Sequence, residues 1–167
     1  QRRCNSTMLC WNVWKNYQQG RNKVQQGDAV AKLQAICSSS ARLHMTLLSE
    51  GDRKLYCSLM TDKASMSYVS SPLSEDKAHR SFEAALKCNQ QRHIQRCYFR
   101  IALKSNNQSI GIASVNQLDL EKKYAEIGRM LLPQWHRKGL GTELSGMLIR
   151  WLVTELGITT ITKQIQA

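Results

Sequence analysis

From residue 41 onward the apolar positions recur with two periods, and each change of period marks a new element. Leu43, Met45 and Leu47 alternate with polar residues over residues 41–49, the pattern of a half-buried strand. Residues 50–61 suit a short helix. Ser74-Glu75-Asp76 reads as a serine N-cap with two acids in the first turn, and Phe82, Ala85 and Leu86 give the following helix its apolar stripe. Residues 97–104 and 109–118, joined by the polar turn Ser105-Asn106-Asn107-Gln108, predict a hairpin. Residues 124–132 become apolar toward their end and stop at Pro133, which favours a strand. Leu144, Met147, Leu148, Trp151 and Leu152 then follow helical spacing, with Gly157 as the C-cap. The β-branched residues 158–165 predict a last strand. Upstream, Asp28 caps a predicted helix through Val30, Leu33 and Ile36 to Cys37.

Between the strand ending at Leu132 and the helix lies Gln134-Trp135-His136-Arg137-Lys138-Gly139-Leu140-Gly141-Thr142-Glu143. A strand, a glycine-containing basic loop and a helix N-terminus together build an anion cradle from backbone N–H groups. The nucleoside-triphosphate pattern GxxxxGK[ST] is absent, because Lys138 precedes Gly139 and Thr142 follows Gly141. The dinucleotide pattern GxGxxG also fails, since Leu144 stands three residues after Gly141. What remains is x-x-x-Gly-x-Gly with basic residues before the first glycine.

That form, preceded by Glu126-Ile127-Gly128 and Pro133-Gln134-Trp135, resembles the acetyl-CoA pyrophosphate loop of the GNAT acetyltransferases, most of all the branch that includes the ribosomal-protein N-terminal acetyltransferases. In that family the loop reads Gln/Arg-x-x-Gly-x-Gly/Ala; here His136 takes the first position, and Thr142-Glu143 suits the branch. The resemblance implies an α/β (α+β) fold: a mixed, mostly antiparallel sheet flanked by helices, covering roughly residues 41 to 165. It also implies a fold truncated after the fifth strand, because a further helix and two strands normally follow where this chain ends at Ala167. In the implied site the amides of Arg137, Lys138, Gly139, Leu140, Gly141 and Thr142 hold the pyrophosphate, His136 lies beside it, and Arg137 and Lys138 add charge. The backbone of Met130, Leu131 and Leu132 runs along the pantetheine arm, and a strand amide polarises the thioester carbonyl. Glu126 is the implied general base, acting directly or through a water. The plainer readings are that Glu126 is a surface carboxylate paired with Arg129 or a lysine, that His136 is a loop residue without a ligand, and that Tyr124 packs on a neighbour.

The implied activity is N-acetyl transfer from acetyl-CoA to a primary amine, either a protein N-terminus or a small amine, with no metal. A CoA-binding module without transfer, and a basic ribosome- or nucleic-acid-associated protein on the same platform, are the alternatives. The net charge of +12 bears on the last of these. Residues 1–40, read as a basic N-terminal extension before the acetyl-CoA-binding domain of residues 41–167, carry six basic residues against Asp28. A solvated surface that draws in an anionic cofactor accounts for this more simply than a nucleic-acid contact, as no recognition motif accompanies it. The 42% hydrophobic content supports a core without a disulfide or metal staple. Cys4, Cys10, Cys37, Cys57, Cys88 and Cys97 show no CxxC or metal spacing, so reduced thiols and a cytoplasmic location are expected. No apolar run is long enough to span a membrane. The strand of residues 158–165 would be an exposed edge, which predicts that further chain, residues 1–40 or a second protomer in a homo-oligomer covers it.

Overall fold

The computed structural model describes residue 31 and residues 38–67, 69–91 and 93–163. Apart from Ala31, the helix expected from Asp28 lies outside them. The strands are β1 (Ser38–Ser39), β2 (Leu43–Leu47), β3 (Cys97–Leu103), β4 (Ser109–Asp119), β5 (Tyr124–Leu131) and β6 (Thr160–Lys163); the helices are α1 (Arg53–Thr61), α2 (Lys63–Met66), α3 (Glu75–Asn89) and α4 (Leu140–Leu156). One sheet runs β1-β2-β3-β4-β5-β6. Its neighbours are antiparallel up to β5, and β6 returns parallel to β5 after the α4 crossover. This is the mixed, mostly antiparallel sheet expected from the sequence, with the two-residue β1 added at the first edge.

The sheet is covered on both faces. Leu43, Met45, Cys97, Phe99, Ile101, Ala113, Val115, Ala125, Ile127 and Leu131 pack against Leu144, Met147, Leu148, Trp151 and Leu152 of α4. The Phe99 and Trp151 rings meet edge to face at 5.7 Å. On the opposite face, Ile112 joins Tyr56 and Leu59 of α1 and Phe82, Ala85 and Leu86 of α3 in a smaller cluster. Strand alternation sorts the residues between these layers. It changes phase twice in β4, at Ile110, where the register with β3 shifts, and between Val115 and Gln117, where the register with β5 shifts. Asn116 is the extra residue of that bulge, and Leu118 regains the α4 face.

Local chemistry sets the element ends. The helix expected over residues 50–61 divides into a 3₁₀ turn, Glu50–Asp52, and α1, because the Ser49 amide and hydroxyl both donate to Asp52 Oδ2 at 2.9 Å. Ser74 sits at the N-cap of α3 but its side chain makes no capping bond there. Gly157 ends α4 in the left-handed conformation, and Ile158 behind it is buried in the core. The last strand is described over Thr160–Lys163, starting two residues later than expected, and residues 164 and 165 of the expected span lie outside the described residues. Truncating a fully buried leucine of α4 tests how far this layer holds the fold. Leu152→Ala is expected to cost about 2–5 kcal/mol in urea unfolding at unchanged m-value.

Candidate active site

The C-terminal end of β5 leads into the site. Leu132 donates its amide to Ile110 O of β4, so Ile110 and Leu132 form a hydrogen-bonded pair of that antiparallel ladder. By alternation Met130 and Gly128 also turn their amides to β4, whereas those of Arg129 and Leu131 face away from it. Pro133–Trp135 then form one 3₁₀ turn, and proline at its first position has no N–H to leave unpaired. His136 Nε2 donates to Leu131 O at 2.7 Å, which folds the loop back over the strand end. Arg137 (φ 57°) and Gly139 (φ 74°) are both left-handed, and Gly139 is the N-cap of α4. Glu143 is the first residue of the helix to find an acceptor, Gly139 O, so the amides of Leu140, Gly141 and Thr142 have none among the described residues.

A second element braces this loop from outside. Arg42, between β1 and β2, donates Nε to Glu143 Oε2 at 2.7 Å and Nη1 to Lys138 O at 3.1 Å, while its amide and the Ser40 hydroxyl donate to Glu143 Oε1. Burial would raise the Glu143 carboxyl, but the Ser40 and Arg42 hydrogen bonds outweigh it and hold the group below the ordinary glutamate range. Lys138 points outward, its ammonium 4.7 Å over the Trp135 ring.

Between the strand end, the loop and α2 lies a cleft of about 540 Å³. Its walls include Ser65 and Val69 from α2 and the turn after it, Asn116 of the β4 bulge, Gly128–Leu131 of β5, the loop at His136, Arg137 and Gly139, and Lys163 of β6. Asp62 caps α2 by accepting the Ser65 amide at 2.6 Å, and this bond keeps its carboxyl below the usual range. Three buried side-chain polar atoms have no hydrogen-bond partner among the described residues: Ser65 Oγ, Arg129 Nε and Trp135 Nε1. All three residues line this cleft. Each such atom costs about 1–3 kcal/mol unless a ligand or water satisfies it, which marks the cleft as a site.

Glu126 and Arg129 lie on opposite faces of β5, as residues three apart in a strand must. Arg129 lies on the α4 face between Ile127 and Leu131. Glu126 is buried at 9% exposure and accepts from Asn116 Nδ2 at 3.3 Å. The surface ion pair with Arg129 that the sequence allows is therefore not formed.

The acetyltransferase (GNAT) domain profile matches residues 42–167. This chain belongs to the GNAT acetyltransferase family. Its fold matches that of a GNAT acetyltransferase from Bacillus anthracis at a TM-score of 0.62, with 16% identity, over 77% of this chain and 72% of the other. A spermidine N-acetyltransferase from Vibrio cholerae, solved with CoA and spermine, matches at 0.65 and 19%, over 75% and 72%. The ribosomal L7/L12 alpha-N-protein acetyltransferase RimL matches at 0.55 and 18%, over 67% and 61%. No curated protein sequence matches.

Of the residues the GNAT resemblance singled out, Met130, Leu131, His136, Arg137, Gly139, Gly141 and Thr142 line the cleft. Glu126, Leu132, Lys138 and Leu140 do not. Leu140 is buried in the core beneath the loop, and Lys138 contributes its carbonyl to the Arg42 brace. Sequence reasoning missed Arg129, Asn116, Ser65 and Lys163; for Arg129 the alternation of β5 was a usable signal, whereas the others depend on tertiary placement. Among the described residues no three His, Cys, Asp or Glu converge as a metal site would, Cys57, Cys88 and Cys97 are free thiols, and no helix is long and apolar enough to cross a membrane.

The brace has a pH signature. A carboxyl held low by folding stabilises the protein above the ordinary carboxylate range, and that contribution is lost as pH falls through its lowered value. Arg42 is half exposed, so solvent limits the contribution to about 1 kcal/mol. Urea unfolding between about pH 6 and pH 3 is expected to show a smaller loss of stability for Glu143→Gln than for the parent.

Proposed function

We propose that this protein is an N-acetyltransferase that uses acetyl-CoA to acetylate a primary amine, a protein N-terminus or a small amine. The observation that carries this reading is the first turn of α4: the amides of Leu140, Gly141 and Thr142 have no intrahelical acceptors, and Gly141 and Thr142 border a cleft with Arg129, Arg137 and Lys163 on its walls. A diphosphate satisfies amides, positive helix end and cations together. The pantetheine arm would follow β5, where the amides of Arg129 and Leu131 face away from β4 and can donate to a thioester carbonyl oxygen. Such a donor stabilises the oxyanion that develops during attack. The acyl group is supplied as a thioester by acetyl-CoA.

Glu126 is the proposed base. Its carboxylate is on the face of β5 that carries Met130 and the α1–α3 layer, next to Asn116, which the bulge aims into the cleft. From there it would accept the proton of the ammonium group through a water held at Asn116. Because Glu126 is set behind Asn116, a CoA-binding module without turnover is the second reading; it predicts CoA binding without thioester consumption across an amine panel.

Gly139→Asp places a carboxylate at the cradle and is expected to abolish CoA binding by calorimetry, while Gly139→Asn, an uncharged side chain that also tolerates a positive φ, keeps most of it. Parent-like CoA affinity in Gly139→Asp would mean that the loop does not hold the diphosphate. Glu126→Gln is expected to lower kcat by about 10²–10⁴ with CoA affinity within about twofold of the parent. Unchanged kcat with a responsive amine would remove Glu126 from the chemistry.

A further inference from the structure

The loop amides do not account for the charge at this site. Arg129 is half-buried, and its guanidinium lies directly against the first turn of α4: a methyl group on Gly141 would overlap Arg129 Nη1. Gly141 has no positive φ, so what an added methyl group would meet there is the end of the Arg129 side chain. Burial lowers the Arg129 pKa with no carboxylate acting on it, and Arg129 Nε is without a partner among the described residues. Lys163 is also pushed down, by burial first and then by Arg129 itself. Two cations therefore converge on the positive end of a helix. The one acid of that turn, Glu143, is turned away to Arg42 and Ser40.

An arrangement of like charges with a buried unpartnered donor is unfavourable by itself, and an anion seated between them supplies the missing acceptor and attracts both cations, which offsets their repulsion and desolvation. We propose that Arg129, assisted by Lys163, is a side-chain ligand for the diphosphate of the nucleotide thioester, so that the protein admits CoA thioesters and rejects pantetheine thioesters that lack it. This rests on the CoA reading above and adds a specificity-determining residue outside the loop.

The test is equilibrium binding of CoA, dephospho-CoA and pantetheine to the parent, Arg129→Gln and Arg129→Met, with Gly139→Asp as the control for the loop itself. Arg129→Gln should weaken CoA and dephospho-CoA alike by tenfold or more, leave pantetheine within twofold, and make log Kd less dependent on log salt. Ligand-free Arg129→Met should melt at the parent temperature or above it, since a buried uncompensated cation is removed. CoA affinity within twofold of the parent, a loss seen with CoA but not with dephospho-CoA, or a lower melting temperature of the ligand-free Met variant would each overturn the assignment. If Gly139→Asp loses CoA while Arg129→Gln keeps it, only the arginine is wrong; if both bind as the parent does, the CoA reading itself fails.

Discussion

The packing of α4 on the sheet is the constraint from which the site follows. Leu140, Leu144, Met147, Leu148, Trp151, Leu152 and Leu156 are all buried, so the helix has one rotation and one depth on β2–β5. Burial of this size, at about 1.5–3 kcal/mol per large side chain, far exceeds what any loop contact contributes. Leu140 is both the first helical residue and part of that core. The first turn is therefore pinned from below, and the amides of Leu140, Gly141 and Thr142 are aimed by hydrophobic packing. The loop before it has little freedom left: His136 ties it to the end of β5 and Arg42 ties it to the β1–β2 turn.

Much of this was legible in the sequence because the signals were local. Helical spacing placed α4, Gly157 marked its C-terminal end, alternation placed β2, the polar turn at residues 105–108 placed the β3–β4 hairpin, and Pro133 marked the end of β5. The failures are equally physical. The bulge at Asn116 depends on how β4 meets β5, and a single strand cannot reveal an extra residue before its partner is known. The short helix α2 and the strand β1 have too few residues to show a period, yet α2 supplies one wall of the cleft. The division of residues 50–61 at Asp52 follows from a capping interaction with Ser49 and from Arg100 of β3 lying 3.5 Å from Asp52.

The relation of Glu126 to Arg129 is instructive in a different way. The sequence holds both residues in one strand, and their charges invite an ion pair. A separation of three residues in a strand puts side chains on opposite faces, so a β conformation over residues 124–132 is itself enough to exclude the pair. Once separated, the two have different chemistry around them. Glu126 stands with Asn116 on the face of the α1–α3 layer, and Arg129 on the face of α4.

The electrostatic arrangement separates charge by the same logic. A helix N-terminus is ordinarily relieved by an acid in its own first turn, and Glu143 is in the right place to do so. Here Arg42, Ser40 and the Arg42 amide draw that carboxylate to the outer surface, where it fastens the loop. The positive potential of the first turn is left uncompensated on its inner side, and Arg129 and Lys163 add to it. A fold selected only for stability would reverse this, with the acid inside and the cations in water. The cost of keeping the cations in is tolerated because α4 is held by its apolar face, and in the proposed reading an anion offsets that cost.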